Sequence, residues 1–286
     1  MIIRVRRIAA VCALGTALTA LAACSAPQPV RAPRATAGPA VASASPAAGP
    51  PTLAPGPAGL TPVFEHGPRT GDRAVALTFD ADMTADQGPR AARGERFDNP
   101  GLIAALRELK VPATVFMTGR WAEQYPRQAR SLGRDPLFEI ANHSYSHYAF
   151  TEDCYGLPTV DEERMRTDVE RAYAAFREAG VPDPMPYFRF PGGCHDTRAL
   201  RALTPAGVTA VQWDVVSGDA FATDAGAVAR EVLDGVRPGS VVVLHCTLSA
   251  APTTERVVRE VVPELRGKGF RFVKVSELIG ASGGRR

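Results

Sequence analysis

Short apolar runs alternate with amphipathic stretches along most of this chain. The first run lies within residues 74–84 (AVALTFDADMT) and ends on two carboxylates, Asp80 and Asp82. Six later runs also have the length and apolar content of strands. The predicted strands are residues 74–79, 113–117, 137–141, 187–190, 208–213, 240–244 and 271–273.

The segments between these runs place apolar residues three and four positions apart, which predicts helices. The predicted helices are residues 100–110, 121–132, 160–179, 225–236, 253–268 and 275–279. Pro126 predicts a break in the second helix, and Gly180 ends the third. Alternating strands and helices indicate an α/β fold with parallel strands. About seven strands favour a distorted (β/α) barrel over an open sheet, which patterning alone does not exclude.

The start of the chain has the pattern of an export signal. Three arginines among the first seven residues precede a small-apolar run, residues 8–20, too short to span a bilayer stably. Cys24 follows Leu-Ala-Ala, which resembles the lipobox of bacterial lipoproteins and implies cleavage after residue 23 and lipid attachment to Cys24. The alternative is an ordinary secretory signal with Cys24 incidental. We expect an exported protein, lipid-anchored on the extracytoplasmic face of the bacterial cell membrane, or secreted without acylation.

Residues 24–60 are rich in Ala, Pro, Gly and Ser and contain few large apolar side chains. Such a segment buries too little surface to offset its ordering entropy, so the sequence predicts a disordered linker. The predicted organisation is therefore a lipoprotein signal peptide over 1–23, a Pro/Ala-rich linker over 24–60 and one globular domain over 61–286.

Charge says little about partners. The chain carries 33 basic and 30 acidic residues, and removal of the three arginines in the signal leaves it formally neutral. A basic stripe with interleaved aromatic residues is absent from the sequence, which argues against nucleic acid as a partner. The sequence predicts no protein partner either.

Three cysteines remain for the exported domain. Cys154, Cys194 and Cys246 would meet an oxidising compartment, where one disulfide and one free thiol are expected. Sequence alone leaves the pairing open. Because Cys154 and Cys194 both fall in predicted loops, we favour their pairing, with Cys246 free.

Asp80 and Asp82 stand two residues apart at the end of a predicted buried strand. Strand alternation points both side chains to the same face. Two carboxylates there are costly to desolvate unless a cation or a proton neutralises them. A cap or turn is the ordinary use of a single Asp at such a position, but the pair favours a charged site.

His143 and His147 belong to the segment HSYSH. Their spacing of four brings two imidazoles together on one face of a helical turn. Two histidines and one carboxylate leave a coordination position open for water on zinc, as in catalytic sites. Either histidine alone would suit a surface or a core; the pair, with the acidic strand end, predicts a divalent metal site.

Polar residues follow most of the predicted strands. They are Asp80 and Asp82, His143 and His147, Arg189, Asp214 and Asp219, and His245. In α/β barrels the active site is built at the carboxyl ends of several strands. We therefore expect these side chains to form one site at that rim.

Five segments in this order resemble the five motifs of NodB-type polysaccharide deacetylases (carbohydrate esterase family 4), which remove acetyl groups from N- or O-acetylated sugars. They are residues 78–82 (TFDAD), 143–147 (HSYSH), 189–193 (RFPGG), 213–219 (WDVVSGD) and 244–245 (LH). The resemblance covers the chain from residue 74 to about 280. It implies a distorted seven-stranded (β/α) barrel and one divalent metal, usually zinc.

The resemblance also implies roles around that metal. Asp82, His143 and His147 resemble the three metal ligands. Asp80 resembles the general base that takes a proton from metal-bound water. Arg189 resembles the arginine that orients this base, since a guanidinium fork suits a carboxylate.

A second set of residues resembles the groups that act on the leaving group and the oxyanion. His245 is similar to the acid that protonates the leaving amine, and Asp219 to the carboxylate that keeps it protonated. The backbone N–H of Gly192 is similar to a donor that stabilises the oxyanion of the tetrahedral intermediate.

The sequence departs from the family's pattern in its apolar positions. Ala81 separates two acids that are commonly adjacent in the family. Gly192 replaces a customary aromatic residue, Ala220 replaces a tryptophan for which Phe221 is a possible substitute, and Val243 replaces a leucine. The groups for the chemistry are therefore better matched than the walls of the sugar pocket.

These observations predict removal of N-acetyl groups from an acetylated glycan, either peptidoglycan or a chitin-like polymer. One alternative is a glycan-binding lipoprotein without turnover, against which the retention of Asp80 and His245 argues. Another is a metal-dependent amidase with a non-sugar substrate, which the altered pocket residues leave open.

Overall fold

The computed structural model describes residues 49–283. Cys24, the predicted signal peptide and most of the predicted linker lie outside these residues. Within them, nine strands form one sheet whose pairs are all parallel. The strands are β1 (Val63–Phe64), β2 (Ala74–Ala81), β3 (Ala113–Met117), β4 (Phe138–Asn142), β5 (Tyr187–Phe188), β6 (Thr209–Val211), β7 (Val215–Val216), β8 (Ser240–His245) and β9 (Arg271–Phe272).

Nine α-helices lie between or after these strands in the described part of the chain. They are α1 (Gln87–Ala92), α2 (Pro100–Glu108), α3 (Gly119–Gln124), α4 (Pro126–Gly133), α5 (Glu162–Ala179), α6 (Thr197–Leu203), α7 (Ala225–Gly235), α8 (Thr254–Gly267) and α9 (Val275–Gly283). Over residues 49–283, no helix is both long enough and apolar enough to cross a bilayer.

The sheet curls into a distorted barrel. Its order is β1-β6-β5-β4-β3-β2-β8-β7, with β9 also paired to β2. Only Gln212, Trp213 and Asp214 separate β6 from β7. One extended segment therefore pairs with β5 at its start and with β8 at its end, and so links the two sides of the sheet. The predicted distorted barrel of parallel strands is confirmed, but with β6 and β7 counted as one bent strand it has eight strands rather than seven.

Strand β2 shows how the sequence divides the inside of the barrel from the outside. Val75, Leu77 and Phe79 belong to the large cluster beneath the helices, whereas Ala74 and Ala76 belong to a smaller cluster inside the barrel. Continued alternation turns Asp80 to the barrel interior, at the carboxyl end of β2. The strand thus carries a buried carboxylate to the rim that the sequence predicts as the site.

The structure adds elements that the apolar pattern does not reveal. Strands β1 and β7 have two residues each, and helices α1 and α6 have six and seven. Elements this short contain less than two full periods of either pattern, so their periodicity is not detectable. The predicted break at Pro126 is confirmed, because α3 ends at Gln124 and α4 begins at Pro126.

The described end of the predicted linker contacts the barrel. Leu53 packs beside the interior cluster, and Tyr187 Oη donates a hydrogen bond of 2.7 Å to Pro51 O. Residues 57–59 form a 3₁₀ turn. This part of the chain is therefore held on the domain, because it supplies an apolar side chain and a carbonyl acceptor that composition alone does not reveal.

Candidate active site

Asp80 and Arg189 form a buried ion pair inside the barrel rim. Arg189 follows β5, is fully buried, and its Nη1 donates a hydrogen bond of 2.7 Å to Asp80 Oδ1. The guanidinium also donates to the carbonyl oxygens of Val211 and Gln212, at 3.2 and 3.4 Å. Its Cζ lies 3.9 Å from the centroid of the Phe116 ring. These contacts fix the guanidinium group of Arg189, so the Asp80 carboxylate is held in one orientation.

The charges around Asp80 keep it ionised. Burial alone would raise the pKa of this carboxyl group, but the charges of Arg189 and His245 outweigh burial and lower it. The other carboxylate oxygen, Oδ2, lies 3.6 Å from His143 Nε2. Asp80 is therefore a carboxylate at neutral pH with one oxygen engaged and one facing the histidine.

His143 and His147 lie in a loop after β4, not on the helical turn that their spacing predicts. Ser144 and His147 have φ values of 70° and 58°, in the left-handed region that a helix excludes. Asn142 Oδ1 accepts from Ser144 N, and Ser144 Oγ accepts from His147 N. The helical-turn prediction is wrong, because local hydrogen bonds replace the helical ones; the two rings still meet, with centroids 5.0 Å apart.

Asp168 of α5 supports this loop from below. Its Oδ2 accepts hydrogen bonds from the backbone N–H groups of Tyr145 and Ser146, at 2.7 and 3.3 Å. These two residues lie between the histidines, so one buried carboxylate holds the segment that carries both imidazoles. A single Asp in an amphipathic helix gives no sequence signal for this role.

The surroundings of His143 favour a neutral imidazole. Burial lowers its pKa to about 4, although Asp80 opposes this shift. Its Nδ1 lies 3.0 Å from Arg189 O, a carbonyl oxygen that can only accept a hydrogen bond, so Nδ1 carries the hydrogen and Nε2 keeps a free lone pair. A neutral imidazole with this tautomer and a bonded Nδ1 is the form that ligates metals.

Asp82 lies just beyond β2 beside His147. Its Oδ2 is 3.8 Å from His147 Nε2, and its Oδ1 accepts a hydrogen bond from Thr247 Oγ1. Burial would raise the pKa of Asp82, but His147, His245 and the Thr247 hydroxyl outweigh burial and lower it. The structure thus gives the two carboxylates different partners, an arginine for Asp80 and a histidine for Asp82.

The side chains of Asp82, His143 and His147 suit a divalent metal ion by their chemistry. Two neutral imidazoles and one carboxylate are an accepted ligand set for zinc. In residues 49–283, no three His, Cys, Asp or Glu side chains already stand in a metal-binding arrangement. The three side chains are nevertheless close, since His147 Nε2 lies 3.8 Å from Asp82 Oδ2 and the two imidazole centroids are 5.0 Å apart. The residues therefore fit the expected metal in donor type, and His143 also fits it in tautomer.

His245 and Asp219 form a second pair across the rim. His245 ends β8, and its Nδ1 lies 2.7 Å from Asp219 Oδ1. Burial would lower the pKa of His245, but the Asp219 carboxylate, helped by Asp80 and Asp82, raises it to about 9. The imidazole is therefore protonated at neutral pH and available as a proton donor.

Three further hydrogen bonds hold Asp219 in place. Its Oδ2 accepts from Thr254 Oγ1 at 2.7 Å and from His245 N at 2.8 Å, and its Oδ1 accepts from Ser217 Oγ at 3.1 Å. Burial would raise the pKa of Asp219, but the hydrogen bonds and charge of His245, together with the Thr254 hydroxyl, lower it. Thr254 and Thr247 are residues that sequence reasoning missed, because single threonines have no distinguishing pattern.

Asp214 does not lie at the predicted rim. Its carboxylate accepts hydrogen bonds from Val241 N at 2.7 Å, Ser240 Oγ at 2.8 Å and Arg69 Nη2 at 2.8 Å. Ser240 begins β8 and His245 ends it, so Asp214 sits at the opposite end of that strand. The prediction for Asp214 is wrong, because the chain continues past it into β7 before it reaches the rim at Asp219.

Gly192 lies in a 3₁₀ turn after Arg189, beside a disulfide-closed loop. The Cys154–Cys194 disulfide that the sequence favours is present, and Cys246 is a buried free thiol among the described residues. Gly192 has a φ of 67°, and a Cβ there would lie 2.6 Å from Cys154 Sγ. Gly192 therefore gives the loop room to approach, while its predicted role as an oxyanion donor stays a prediction.

Comparison with known proteins identifies the family. The sequence model described as polysaccharide deacetylase matches residues 67–211. The chitooligosaccharide deacetylase of Bradyrhizobium sp. (strain ANU 289) is 28% identical over 225 residues, 74% of this chain and 94% of that protein. A peptidoglycan-N-acetylglucosamine deacetylase of Bacillus cereus is 26% identical, over 73% and 89%. The solved structure of the Bc1960 peptidoglycan N-acetylglucosamine deacetylase matches at 25% identity with a TM-score of 0.63, over 79% and 96%.

The fold and the site thus define a hydrolase built on a distorted (β/α) barrel. The chain belongs to the polysaccharide deacetylase family, the NodB-type enzymes of carbohydrate esterase family 4. The resemblance that the five motifs indicate is confirmed.

Proposed function

We propose that this enzyme removes N-acetyl groups from N-acetylglucosamine residues of a cell-wall or chitin-like glycan. The observation that carries the proposal is the pair of separately held acid–base groups, Asp80 with Arg189 and Asp219 with His245. Relatives named as chitooligosaccharide and peptidoglycan-N-acetylglucosamine deacetylases support the substrate class.

Asp80 would act as the general base in this reaction. It is ionised, its orientation is fixed by Arg189, and its second oxygen faces the histidine cluster. It would take a proton from the water that attacks the acetyl carbonyl carbon. Because the positive charge of Arg189 stabilises the Asp80 carboxylate, this base stays deprotonated before turnover even though it is buried.

His245 would act as the general acid. Its raised pKa keeps the imidazole protonated, and Asp219 directs Nδ1 away so that Nε2–H is the available donor. Proton transfer from Nε2 to the amide nitrogen allows the C–N bond to break. The products are then acetate and the free amine of the sugar, with the proton lost by water held on Asp80.

A divalent ion, most simply zinc, would bind to Asp82, His143 and His147. When bound, such an ion polarises the acetyl carbonyl and lowers the pKa of water. The chain's own contribution is the neutral state of His143, the Asp168-supported loop and the Thr247 hydroxyl on Asp82. The backbone N–H of Gly192 would add a donor to the oxyanion.

Acetate release tests this function. We expect the purified protein with zinc to release acetate from N-acetylglucosamine oligomers or from purified peptidoglycan, and the faster of the two identifies the preferred glycan. A chelator should abolish release and added zinc should restore it. His143→Ala should stay inactive with added zinc, whereas His66→Ala, an exposed histidine outside the cluster, should behave as the parent. Equal release from the parent and His143→Ala, or none from any acetylated glycan, would contradict the proposal.

We also propose that the protein is exported and lipid-anchored through Cys24. The basic start, the short apolar run and the Leu-Ala-Ala-Cys sequence support this location. Two or more acyl chains hold a protein on a membrane stably, and a single chain does not. In a bacterial host the parent should partition with membranes and Cys24→Ala should not; membrane association that survives Cys24→Ala would overturn the anchor.

A further inference from the structure

Two exposed aromatic rings lie side by side at the edge of the candidate active site. Within residues 49–283, Tyr155 and Phe221 are the most exposed large apolar side chains, at 76% and 85%. Their ring centroids are 6.4 Å apart and their planes differ by 31°. They come from segments far apart in the sequence, so neither local structure nor chance exposure of one loop accounts for their meeting.

Each ring is attached to a different part of the catalytic cluster. Phe221 ends the 3₁₀ turn that begins with Asp219, the partner of His245. Tyr155 lies against Gly192, which belongs to the turn Pro191–Gly193 shortly after Arg189; a Cβ on Gly192 would be 3.2 Å from Tyr155 Cδ2. The pair is thus placed next to the groups that would act on the acetamido group.

The chain maintains Tyr155 in this position at a cost. Asp153 and Tyr155 have φ values of 55° and 52°, which are unfavourable for residues with a side chain. Cys154 lies between these two strained residues. Its disulfide with Cys194 joins their loop to the end of the turn that contains Gly192. A strained, cross-linked loop that ends in an exposed ring indicates that the position of the ring matters.

We propose that Tyr155 and Phe221 form a platform that binds a pyranose ring of the glycan next to the reacting sugar, and that the disulfide positions it. This inference rests on the proposed function for its choice of ligand. The apolar C–H face of a pyranose packs on an aromatic ring, and the sugar hydroxyls stay in water at the exposed edge. The platform therefore determines affinity for a glycan chain rather than the chemical step.

Chain-length dependence of the kinetics tests the platform. For N-acetylglucosamine pentamer we expect Tyr155→Ala and Phe221→Ala each to raise KM by about 3- to 10-fold, with kcat changed less than two-fold. Tyr155→Trp should retain the parent KM, and Val216→Ala, an exposed apolar residue on β7, should have no effect. Hydrolysis of p-nitrophenyl acetate, which is too small to cover the platform, should be unchanged in all four variants.

The disulfide gives an independent arm of the test. The double variant Cys154→Ser/Cys194→Ser should raise KM for the pentamer as Tyr155→Ala does, and combining the two should add little. An unchanged KM in Tyr155→Ala/Phe221→Ala, or an equal loss on p-nitrophenyl acetate, would overturn the platform.

Direct binding separates this inference from the proposed function. Calorimetric titration of Asp80→Asn with the pentamer measures affinity without turnover. Weaker binding after Tyr155→Ala in that background supports the platform even if the parent releases no acetate. Unchanged binding overturns the platform even if the parent is an active deacetylase.

Discussion

Arg189 and Asp80 meet through a 2.7 Å hydrogen bond at a point where Arg189 is fully buried and Asp80 is only 4% exposed. The arginine is not a surface charge there, and two of its other N–H groups donate to the backbone carbonyls of Val211 and Gln212. The pair therefore serves two purposes: it compensates two buried charges, and it keeps the proposed base ionised.

Removal of Arg189 should lower the unfolding free energy of the domain as well as its activity. Arg189→Met leaves the Asp80 charge buried without its partner, a change that typically costs about 3–5 kcal/mol of unfolding free energy. Chemical denaturation measures this loss. Arg189→Met/Asp80→Asn, which removes both charges, should recover part of the stability but none of the activity; if the double variant is no more stable than the single one, the two charges are not coupled.

The Asp219–His245 pair predicts a pH dependence. The pKa of His245 is raised to about 9, so the imidazolium is present at pH 7 and is lost as pH rises through about 9. We expect kcat/KM to fall on that basic limb. Asp219→Asn removes the charge that raises the pKa, so the limb should move down towards the ordinary histidine value of 6.5. A limb that stays in place in Asp219→Asn would show that another group titrates.

Asp168 should control how well the histidine loop binds an ion. Asp168→Ala removes the acceptor for two loop N–H groups, and loss of such outer partners typically weakens metal binding about 10- to 100-fold. Competition with a zinc chelator measures the affinity. Asp168→Asn keeps one carbonyl acceptor and should lie closer to the parent. Parent-like affinity in Asp168→Ala would mean that the loop holds its shape without this carboxylate.

The disulfide should contribute to global stability. It closes a loop with a sequence separation of 40 residues, for which chain entropy predicts about 4 kcal/mol. Cys154→Ser/Cys194→Ser should lower the unfolding free energy towards that extent. A thiol reductant should lower the stability of the parent in the same way but leave the double variant unchanged, because that variant lacks the Cys154–Cys194 disulfide on which the reductant acts. No difference between the oxidised parent and the double variant would contradict this estimate.

The sequence predicts the barrel and the site for a simple physical reason. Buried parallel strands appear in a sequence as apolar runs. A polar residue at the carboxyl end of such a run does not contribute to apolar packing, so it indicates a functional site. Four residues lie at or just beyond the end of an apolar run in this way: Asp80, His143, Arg189 and His245. The strand alternation of β2 turns Asp80 to the same face as Ala74 and Ala76, which the structure places inside the barrel.

Other features depend on contacts between distant segments. His143 and His147 have the spacing of a helical turn, but hydrogen bonds to Asn142 and Asp168 give their loop its shape. The spacing of the two histidines does not reveal these bonds. In the sequence, Asp214 and Asp219 both follow the same predicted strand. Only the position of β7 between them shows that they lie at opposite ends of the barrel. The approach of Tyr155 to Gly192 needs both the disulfide and the tertiary fold.

The central claim is that Asp80 is the base in removal of an acetyl group from a glycan. The most direct test is acetate release from N-acetylglucosamine pentamer by Asp80→Asn and by Asp214→Asn, with zinc present and folding checked. Asp214 belongs to the same set of predicted acids but lies at the far end of β8. We predict that Asp80→Asn loses at least about 100-fold in kcat while Asp214→Asn stays near the parent. Parent-like acetate release by Asp80→Asn would contradict the claim.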